Sequence, residues 1–255
     1  MSSELSPDVK NWIQPTLNNQ GIMVKQLCKN SKAFIEFAAS TDLPVVDMGC
    51  AYGVATLPAL EKGANVIACD LEPRHIAELK REAERRNLSG LTTRTGHFPE
   101  DYSFTPNSLA AFHSSYVLHF LTGEKLVAGL KSIKEWLTSN GKLFINTATP
   151  YLPLVENFAP EYERLLQNGV RWPGEMYEKA LEHYFNPLIS EYLPPESMPR
   201  FVHFFDKVVL SRTLQEAGFV IEHIDYYNMD WPPELIPLYG TKDVPALISC
   251  VARTE

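Results

Sequence analysis

Short apolar runs alternate with amphipathic stretches through the middle and the end of the chain. Apolar residues spaced three and four apart predict helices between these runs, at 54–62, 73–86 and 206–218 and from Thr122 to a stop at Gly141. The apolar runs predict strands at 44–48, 64–70, 91–95, 109–113, 142–147, 219–226 and 246–252. Strands that alternate with helices in this way form an α/β fold, a mostly parallel sheet with helices on both faces. The prediction is a single domain, 1–255, around a seven-stranded sheet.

Two segments depart from this alternation. Residues 1–42 are predicted to form an N-terminal helical cap, with Ser6 before Pro7 as the start of one helix and a second helix from about Ile22 to Ala39. Residues 151–205 contain seven prolines, eleven aromatic residues and no clear strand. We predict that they form a lid or substrate-binding insertion with short helices near 160–167 and 174–184.

Composition excludes several classes of protein. The net charge of −8 and the lack of basic runs disfavour direct binding to nucleic acid. No run of about 18 apolar residues predicts a membrane span, and the polar first ten residues do not resemble a signal peptide. The four cysteines are scattered without CxxC spacing, which disfavours a metal site or a disulfide framework. We therefore expect a cytoplasmic protein without a metal or a membrane partner.

The most informative stretch is the loop that follows the strand 44–48. It contains Gly49, Ala51 and Gly53 directly after Asp47. Small residues allow a backbone to approach a ligand closely, and this loop lies at the carboxyl edge of the sheet, where open α/β sheets bind ligands. The sequence therefore predicts a ligand site here.

A second acidic residue identifies the kind of ligand. Asp70 ends the next strand, 23 residues after Asp47, where a carboxylate can accept hydrogen bonds from ribose hydroxyls. Val54 occupies the third glycine position of a dinucleotide loop, and Asp47 would repel a pyrophosphate. An acidic residue suits a cationic amino group instead. These signals favour S-adenosylmethionine over a dinucleotide.

On these residues the chain resembles the class I S-adenosylmethionine-dependent methyltransferases, which have a Rossmann-like fold. The resemblance covers about 45–148 and 206–255. Its motifs are Asp47-x-Gly49-x-Ala51-x-Gly53, Asp70, His97-Phe98, Ser115 to Leu121, Leu137 to Ile145, and Leu214-x-x-Ala217-Gly218-Phe219. Three positions differ from the family pattern: Ala51 replaces a frequent glycine, His97 a frequent acidic residue, and Ala110 a frequent aspartate.

The resemblance implies S-adenosyl-L-methionine as cofactor, with S-adenosyl-L-homocysteine as product, and a set of contacts. Asp47 and the loop would face the methionine end, Asp70 the ribose, and Leu71 the adenine. Phe98 would offer its backbone amide or its ring to the adenine edge. The implied cofactor-binding residues are Asp47, Gly49, Cys50, Ala51, Tyr52, Gly53, Asp70, Leu71, His97, Phe98 and Ser114.

Residues for the acceptor side are predicted more loosely. A hydroxyl acceptor needs a base, for which His119 is the first candidate, followed by His113, His183 and His203. His119 is also a common feature of this fold, so a structural role competes with the catalytic one. Predicted substrate-binding residues are Trp12, Ser115, Tyr116, Tyr151, Trp172, Tyr177 and His203. The aromatic residues of 151–205 fit a small core of their own equally well.

The preferred hypothesis is methyl transfer to a small molecule by in-line displacement. The aromatic insertion and the acidic surface favour it, whereas the acceptor atom (oxygen, nitrogen or sulfur) and the oligomeric state are left open. A protein or peptide methyltransferase and a non-catalytic cofactor-binding protein are the alternatives. A nicotinamide-dependent oxidoreductase is disfavoured by the loop spacing and by the lack of a Tyr-x-x-x-Lys pair.

Overall fold

A computed structural model describes residues 6–155, 157–192 and 198–255. Residues 1–5 of the predicted cap, and residues 156 and 193–197 of the predicted insertion, lie outside the described residues. The described part of the chain is built around one large sheet, two small two-stranded sheets and a set of flanking helices.

The large sheet contains seven strands and confirms the predicted α/β class. The strands of the molecule are β1 (Ile13–Pro15), β2 (Ile22–Val24), β3 (Val45–Met48), β4 (Val66–Asp70), β5 (Leu91–Thr95), β6 (Leu109–Ser115), β7 (Leu137–Ala148), β8 (Glu175–Tyr177), β9 (Phe201–His203), β10 (Val220–Tyr227) and β11 (Leu247–Arg253). The large sheet has the order β10-β11-β7-β6-β3-β4-β5. Its strands are parallel except β11, which is antiparallel to both neighbours.

Helices cover both faces of this sheet. They are α1 (Pro7–Trp12), α2 (Lys29–Ala39), α3 (Thr56–Glu61), α4 (Pro73–Arg85), α5 (Gly123–Trp136), α6 (Phe158–Gln167), α7 (Glu178–Tyr184), α8 (Lys207–Glu216) and α9 (Ile236–Tyr239). Of the helices in the described ranges, none is both long and apolar enough to cross a membrane. One buried cluster packs α2, α3 and α4 on one face, and a larger cluster includes α5 and the segments after β7.

The order of the strands creates a ligand-binding crevice. From β3, the chain builds outward through β4 and β5 on one side and through β6 and β7 on the other. The strand order therefore reverses between β3 and β6, and open α/β sheets bind ligands at such a switch point. The loops after β3 and β6 run in opposite directions from this point and leave a crevice between them.

Three predicted elements were wrong in part, first of all in the N-terminal cap. The helix predicted from Ile22 begins only at Lys29, because β1 and β2 pair as an antiparallel hairpin over 13–24. The turn between them contains Asn19 in the left-handed region, which asparagine tolerates well. Cys28 caps α2, since its Sγ accepts from the Ser31 N–H at 3.4 Å. The apolar spacing that predicted one long helix thus spans a strand and a helix.

The insertion and the strand β7 also differ from the prediction. Residues 175–177 and 201–203 form a two-stranded antiparallel sheet in a segment predicted to have no strand. The short helices predicted there are present as α6 and α7, although α7 begins later than expected. The helix α5 ends at Trp136 rather than near Gly141, and Leu137 starts the strand β7.

Candidate active site

A cavity of about 690 Å³ opens at the carboxyl ends of β3, β4 and β6. Its size lies within the range of about 300–1,000 Å³ that is typical of small-molecule sites. We call one part the loop end, which is lined by Asp47, Gly49, Cys50, Ala51, Asp70, Leu71, His75, His97 and Phe98. We call the other part the apolar end, which is lined by Val117, Phe120, Leu121, Ala148, Leu152, Leu154, Phe185, Ile189, Met198, Val202, Phe204, Trp231, Tyr239 and Leu247.

The loop after β3 is held by hydrogen bonds to the neighbouring strand. The N–H groups of Gly49 and Cys50 donate to the Cys69 carbonyl oxygen at 2.7 and 3.0 Å. The Ala51 N–H donates to Oδ2 of Asp70 at 2.8 Å. Ala51 has a φ of 44°, in the left-handed region that a residue with a Cβ seldom adopts. The loop that follows Asp47 at the end of β3 is therefore hydrogen-bonded to Asp70 at the end of β4.

Glycine in this loop is also required for packing against protein. Gly49 and Gly53 have φ values of 72° and 84°. A Cβ at Gly49 would overlap the Val117 side chain, and one at Gly53 would overlap Leu79. Gly49 lines the cavity, whereas Gly53 does not.

Asp70 is almost fully buried, and its two oxygens have different numbers of partners. Oδ1 accepts from the Glu72 N–H at 2.9 Å and lies 3.2 Å from Nδ1 of His75. Oδ2 accepts only the Ala51 N–H among the described residues. A carboxylate oxygen has about two acceptor positions, so Oδ2 retains one for a ligand hydroxyl.

His75 connects Asp70 to the N-terminal hairpin. Its Nε2 lies 3.0 Å from the Leu17 N–H and accepts from it, which leaves the ring proton on Nδ1, facing Asp70. Arg74 donates to the Leu17 carbonyl, and the Tyr52 hydroxyl donates to the Pro15 carbonyl at 3.3 Å. The hairpin is thus tied to the loop after β3 and to the start of α4, and residues 20–24 form one wall of the cavity.

Asp47 begins a buried chain of polar groups under the loop end. Its Oδ2 accepts from the Thr56 hydroxyl at 2.6 Å, and its Oδ1 lies 2.8 Å from Nδ1 of His113. Nε2 of His113 lies 3.0 Å from the Ser31 hydroxyl. The Asn146 amide donates to the same hydroxyl at 3.0 Å. Each Asp47 oxygen has one protein partner and keeps an acceptor position toward the cavity.

Phe98 is among the residues that line the cavity, and its ring is part of the core. The ring packs near Phe112, at 5.7 Å between centroids, and fills the space above Gly129. Among the described residues, no protein acceptor takes the Phe98 N–H. The N–H of His97 donates to Oδ2 of Asp101 at 2.7 Å, and the His97 ring lines the cavity.

His119 lines the cavity in the turn after β6, between Val117, which packs against Gly49 of the loop end, and Leu121, which belongs to the apolar end. Its Nδ1 lies 3.5 Å from the Thr147 hydroxyl, and its ring contacts Phe120 edge-on at 4.2 Å. Burial lowers the pKa of His119 to about 3, with a smaller contribution from His203, so the ring is neutral near pH 7. No described protein group bonds its Nε2. Nε2 is a proton acceptor in the tautomer whose proton is on Nδ1, where it faces the Thr147 hydroxyl.

Tyr116 lies next to His119 with a strained backbone. Its φ of 58° is in the left-handed region, which is unusual for an aromatic residue. Its hydroxyl lies 2.9 Å from the hydroxyl of Tyr227, and burial raises the pKa of both phenols. Such outliers cluster at functional sites. Ser115 and Tyr116 are the two predicted substrate-binding residues that line the cavity.

The other predicted site residues lie away from the cavity lining. Tyr52 packs on His75 and Ser114 is fully buried, so neither predicted cofactor contact lines the cavity. Trp12 packs behind Trp231, Tyr151 contacts Tyr226, Trp172 lies against His203, and Tyr177 is 57% exposed. His203 donates to the Leu121 carbonyl at 3.2 Å, and burial lowers its pKa to about 4.

Two of the alternative bases, His113 and His183, have surroundings that differ from those of His119. Both nitrogens of His113 are engaged, by Asp47 and Ser31. His183 is exposed on α7 and contacts Tyr184. The geometry therefore singles out His119 from the four histidines.

Sequence reasoning missed His75 and most of the apolar end. His75 lies five residues after Asp70 in α4, where the other buried residues are apolar. A polar residue at a buried helix position is the one feature of the sequence that could have indicated its role. Trp231 and Tyr239 stack at 4.2 Å in a stretch that received no role. Nothing in the local pattern indicates that these distant segments meet.

Comparison with known proteins agrees with this geometry. Residues 45–141 match the model of a methyltransferase domain family. No curated protein sequence matches the chain.

Solved structures of methyltransferases have the same fold. An S-adenosylmethionine-dependent methyltransferase from Mesorhizobium loti is 16% identical with a TM-score of 0.60, covering 88% of this chain and 95% of that one. One from Methanosarcina mazei is 14% identical with a TM-score of 0.60, covering 99% of both. The 1,6-didemethyltoxoflavin-N1-methyltransferase of Burkholderia thailandensis, with bound S-adenosylhomocysteine, is 16% identical with a TM-score of 0.57, covering 89% and 78%. At these identities the likeness concerns the fold.

The sheet and the loop at its switch point have the arrangement of a methyltransferase fold, and residues 45–141 match a methyltransferase domain family. The fold of the whole described chain is similar to that of solved S-adenosylmethionine-dependent methyltransferases.

Proposed function

We propose that this protein transfers a methyl group from S-adenosylmethionine to a small-molecule acceptor. The observation that supports this most directly is one continuous cavity, with a hydrogen-bonding loop end and an apolar end that meet at His119. The first end fits a nucleoside cofactor, and the second provides separate room for an acceptor. Proximity and alignment of two bound reactants supply about 7–11 kcal/mol in well-oriented reactions.

The residues at the loop end fit the cofactor. The free acceptor position on Asp70 Oδ2 suits a ribose hydroxyl, and Asp47 offers negative charge to the amino group. The unpaired Phe98 N–H suits an adenine ring nitrogen, and Leu71 provides an exposed apolar surface beside it. When bound, S-adenosylmethionine supplies an activated methyl group on its sulfonium and becomes S-adenosylhomocysteine.

His119 is proposed to accept the acceptor's proton. Its neutral ring has a free Nε2 at the junction of the two ends of the cavity. A positioned base contributes about 10²–10⁴-fold to the rate when the acceptor is a hydroxyl. His119→Gln should therefore slow transfer to a hydroxyl acceptor by that factor while S-adenosylhomocysteine affinity is retained, as measured by transfer of labelled methyl.

Walls from separate segments favour a small acceptor over a protein or peptide. The hairpin 13–24 closes one side of the cavity, and residues of the proposed insertion, 151–205, close the apolar end. A polypeptide substrate needs an open groove for its main chain. We accordingly treat residues 6–42 and 151–205 as cap and lid of a single domain.

The cofactor is tested by calorimetric titration with S-adenosylmethionine, S-adenosylhomocysteine and NAD in parallel. Micromolar binding of the first two, without binding of NAD, supports the proposal. Failure of both sulfur nucleosides to bind would reduce the chain to a scaffold that has kept the fold. Binding of NAD alone would contradict the assignment of the loop.

A further inference from the structure

The apolar end has a lining without formal charge. In the described part of the chain, its residues come from the turn after β6, the end of β7, the insertion and the segment after β10. They are Val117, Phe120, Leu121, Ala148, Leu152, Leu154, Phe185, Ile189, Met198, Val202, Phe204, Trp231, Tyr239 and Leu247. All are aliphatic, aromatic or sulfur-containing side chains.

Among the described residues, the charged ones that line the cavity are confined to its other part. Asp47 and Asp70 belong to the loop end, and Glu100, Asp101 and Lys125 lie beside His97 at its edge. Lys125 is already paired with Glu100 at 2.6 Å. A carboxylate, phosphate or ammonium group placed in the apolar end would lose its hydration without gaining a counter-ion. That loss is expensive in an apolar environment.

The polar atoms near the apolar end are mostly engaged with one another. The hydroxyls of Tyr116 and Tyr227 share a hydrogen bond, and Nε1 of Trp231 donates to Oδ1 of Asn228 at 2.7 Å. His119 keeps its Nε2 free at the boundary with the loop end. A bound molecule therefore finds extensive apolar surface and a proton acceptor at one place.

We propose that the acceptor is an uncharged, largely apolar and aromatic compound whose nucleophile is a hydroxyl or thiol held at His119. This inference rests on the proposed function and specifies its substrate class. The acceptor oxygen or sulfur forms the bond to the methyl carbon as the bond from that carbon to the sulfonium breaks. The electron pair of the broken bond stays on the cofactor sulfur, and the acceptor proton passes to Nε2 of His119.

A pair of fluorescent probes that differ by one charge tests this inference. N-phenyl-1-naphthylamine is neutral, and 1-anilinonaphthalene-8-sulfonate has the same ring system with an added sulfonate. Both are titrated into the full chain with saturating S-adenosylhomocysteine, which occupies the loop end. The neutral probe should bind at least tenfold more tightly. Equal or stronger binding of the sulfonate, or failure of the neutral probe to bind, would overturn the inference.

Variants of Leu154 place the probes at the apolar end. Leu154 is only partly buried, so its replacement need not disrupt the core. Leu154→Lys should weaken the neutral probe at least tenfold and reduce or reverse the preference between the probes. Leu154→Met, which keeps an apolar side chain of similar size, should leave both unchanged. An unaltered preference in the lysine variant would contradict the assignment of this surface.

A separate titration with S-adenosylhomocysteine distinguishes failure of the proposed methyl transfer from failure of the proposed acceptor class. If it fails to bind while the neutral probe still binds selectively without it, the proposed methyl transfer is wrong and the ligand class of the apolar end stands. If it binds and the probes show no preference for the neutral form, the proposed function stands and the acceptor class is wrong.

Discussion

The loop end and the apolar end of the cavity are built in different ways. The loop end is made mainly of residues 47–98, which lie on consecutive strand–helix units and are joined by hydrogen bonds. The apolar end draws residues from four separate stretches, held by side-chain packing. A ligand made of hydrogen-bonding groups is therefore recognised by local geometry, whereas the apolar end is defined by tertiary packing.

A substitution that blocks the loop should have the largest effect. Gly49→Val combines a left-handed backbone with overlap on Val117, which together should cost about 2–5 kcal/mol of stability and abolish cofactor binding. Urea unfolding and S-adenosylhomocysteine titration measure the two effects. Gly63→Val is the matched control, because Gly63 has a φ of 86° but open space around its Cα. Equal losses of stability and of binding in the two variants would show that backbone strain, and not overlap with Val117, causes the effect.

Removing the carboxylate at the end of β4 tests hydrogen bonding at the loop end. Asp70→Ala should weaken S-adenosylhomocysteine binding by about 1.5–3 kcal/mol, or roughly 10- to 150-fold, through loss of a charge-assisted hydrogen bond. Asp230→Ala, which removes an exposed carboxylate paired with Lys242, should leave the affinity unchanged. Undiminished affinity in Asp70→Ala would remove the ribose contact from the proposal.

Acid should destabilise the protein through histidines near the apolar end. Burial lowers the pKa of His119 to about 3 and of His203 to about 4, below the ordinary value of 6.5. As the pH falls below 6.5, the unfolded chain takes up protons that the folded chain excludes, so stability decreases. Each group contributes up to about 1.4 kcal/mol per pH unit between 6.5 and its folded pKa.

Urea unfolding between pH 7.5 and 5 measures this dependence. His119→Gln should make it shallower by about one proton, whereas His183→Gln, at an exposed position, should not change it. An unchanged slope in His119→Gln would mean that His119 is hydrated rather than buried beside the apolar end.

The smallest effect is expected at Ala51. Glycine would relieve the left-handed strain of about 1–2 kcal/mol and add about 0.5–1 kcal/mol of chain entropy to the unfolded state. Ala51→Gly should therefore change the free energy of unfolding by about 1 kcal/mol or less and preserve S-adenosylhomocysteine binding. Ala51→Val should lower both the free energy of unfolding and the affinity for S-adenosylhomocysteine, because a β-branched residue tolerates a positive φ poorly. A large loss on Ala51→Gly would show that the Cβ itself is required.

The same contrast explains which features the sequence could predict. The strands β3 to β6 and the loop with Asp47 were predictable, since each depends on apolar runs and small residues that are adjacent in the chain. The hairpin 13–24 was not, because its apolar residues also fit a helical spacing and pairing across the turn decided the outcome. The strand β7 gained its first residues in the same way, through pairing of Leu137 with Leu109.

For the candidate site residues too, the sequence predicts what depends on local pattern and misses what depends on tertiary packing. Asp70 was placed by its position after a strand, but its bond to the Ala51 N–H and its single free acceptor position required coordinates. The aromatic character of Trp172 and Tyr177 predicts substrate contacts, but tertiary packing places both side chains away from the cavity lining.

The ties of the N-terminal hairpin to Tyr52, Arg74 and His75 bear on where the functional unit begins. The segment recognised as a methyltransferase domain starts at residue 45 and stops at 141. A shortened chain cut at those limits would keep the loop end, yet it would lose the wall formed by residues 20–24 and nearly all of the apolar end. The residues that match the methyltransferase domain family and the residues of the proposed acceptor pocket therefore lie in largely separate stretches, so the proposed pocket could vary while the loop after β3 stays the same.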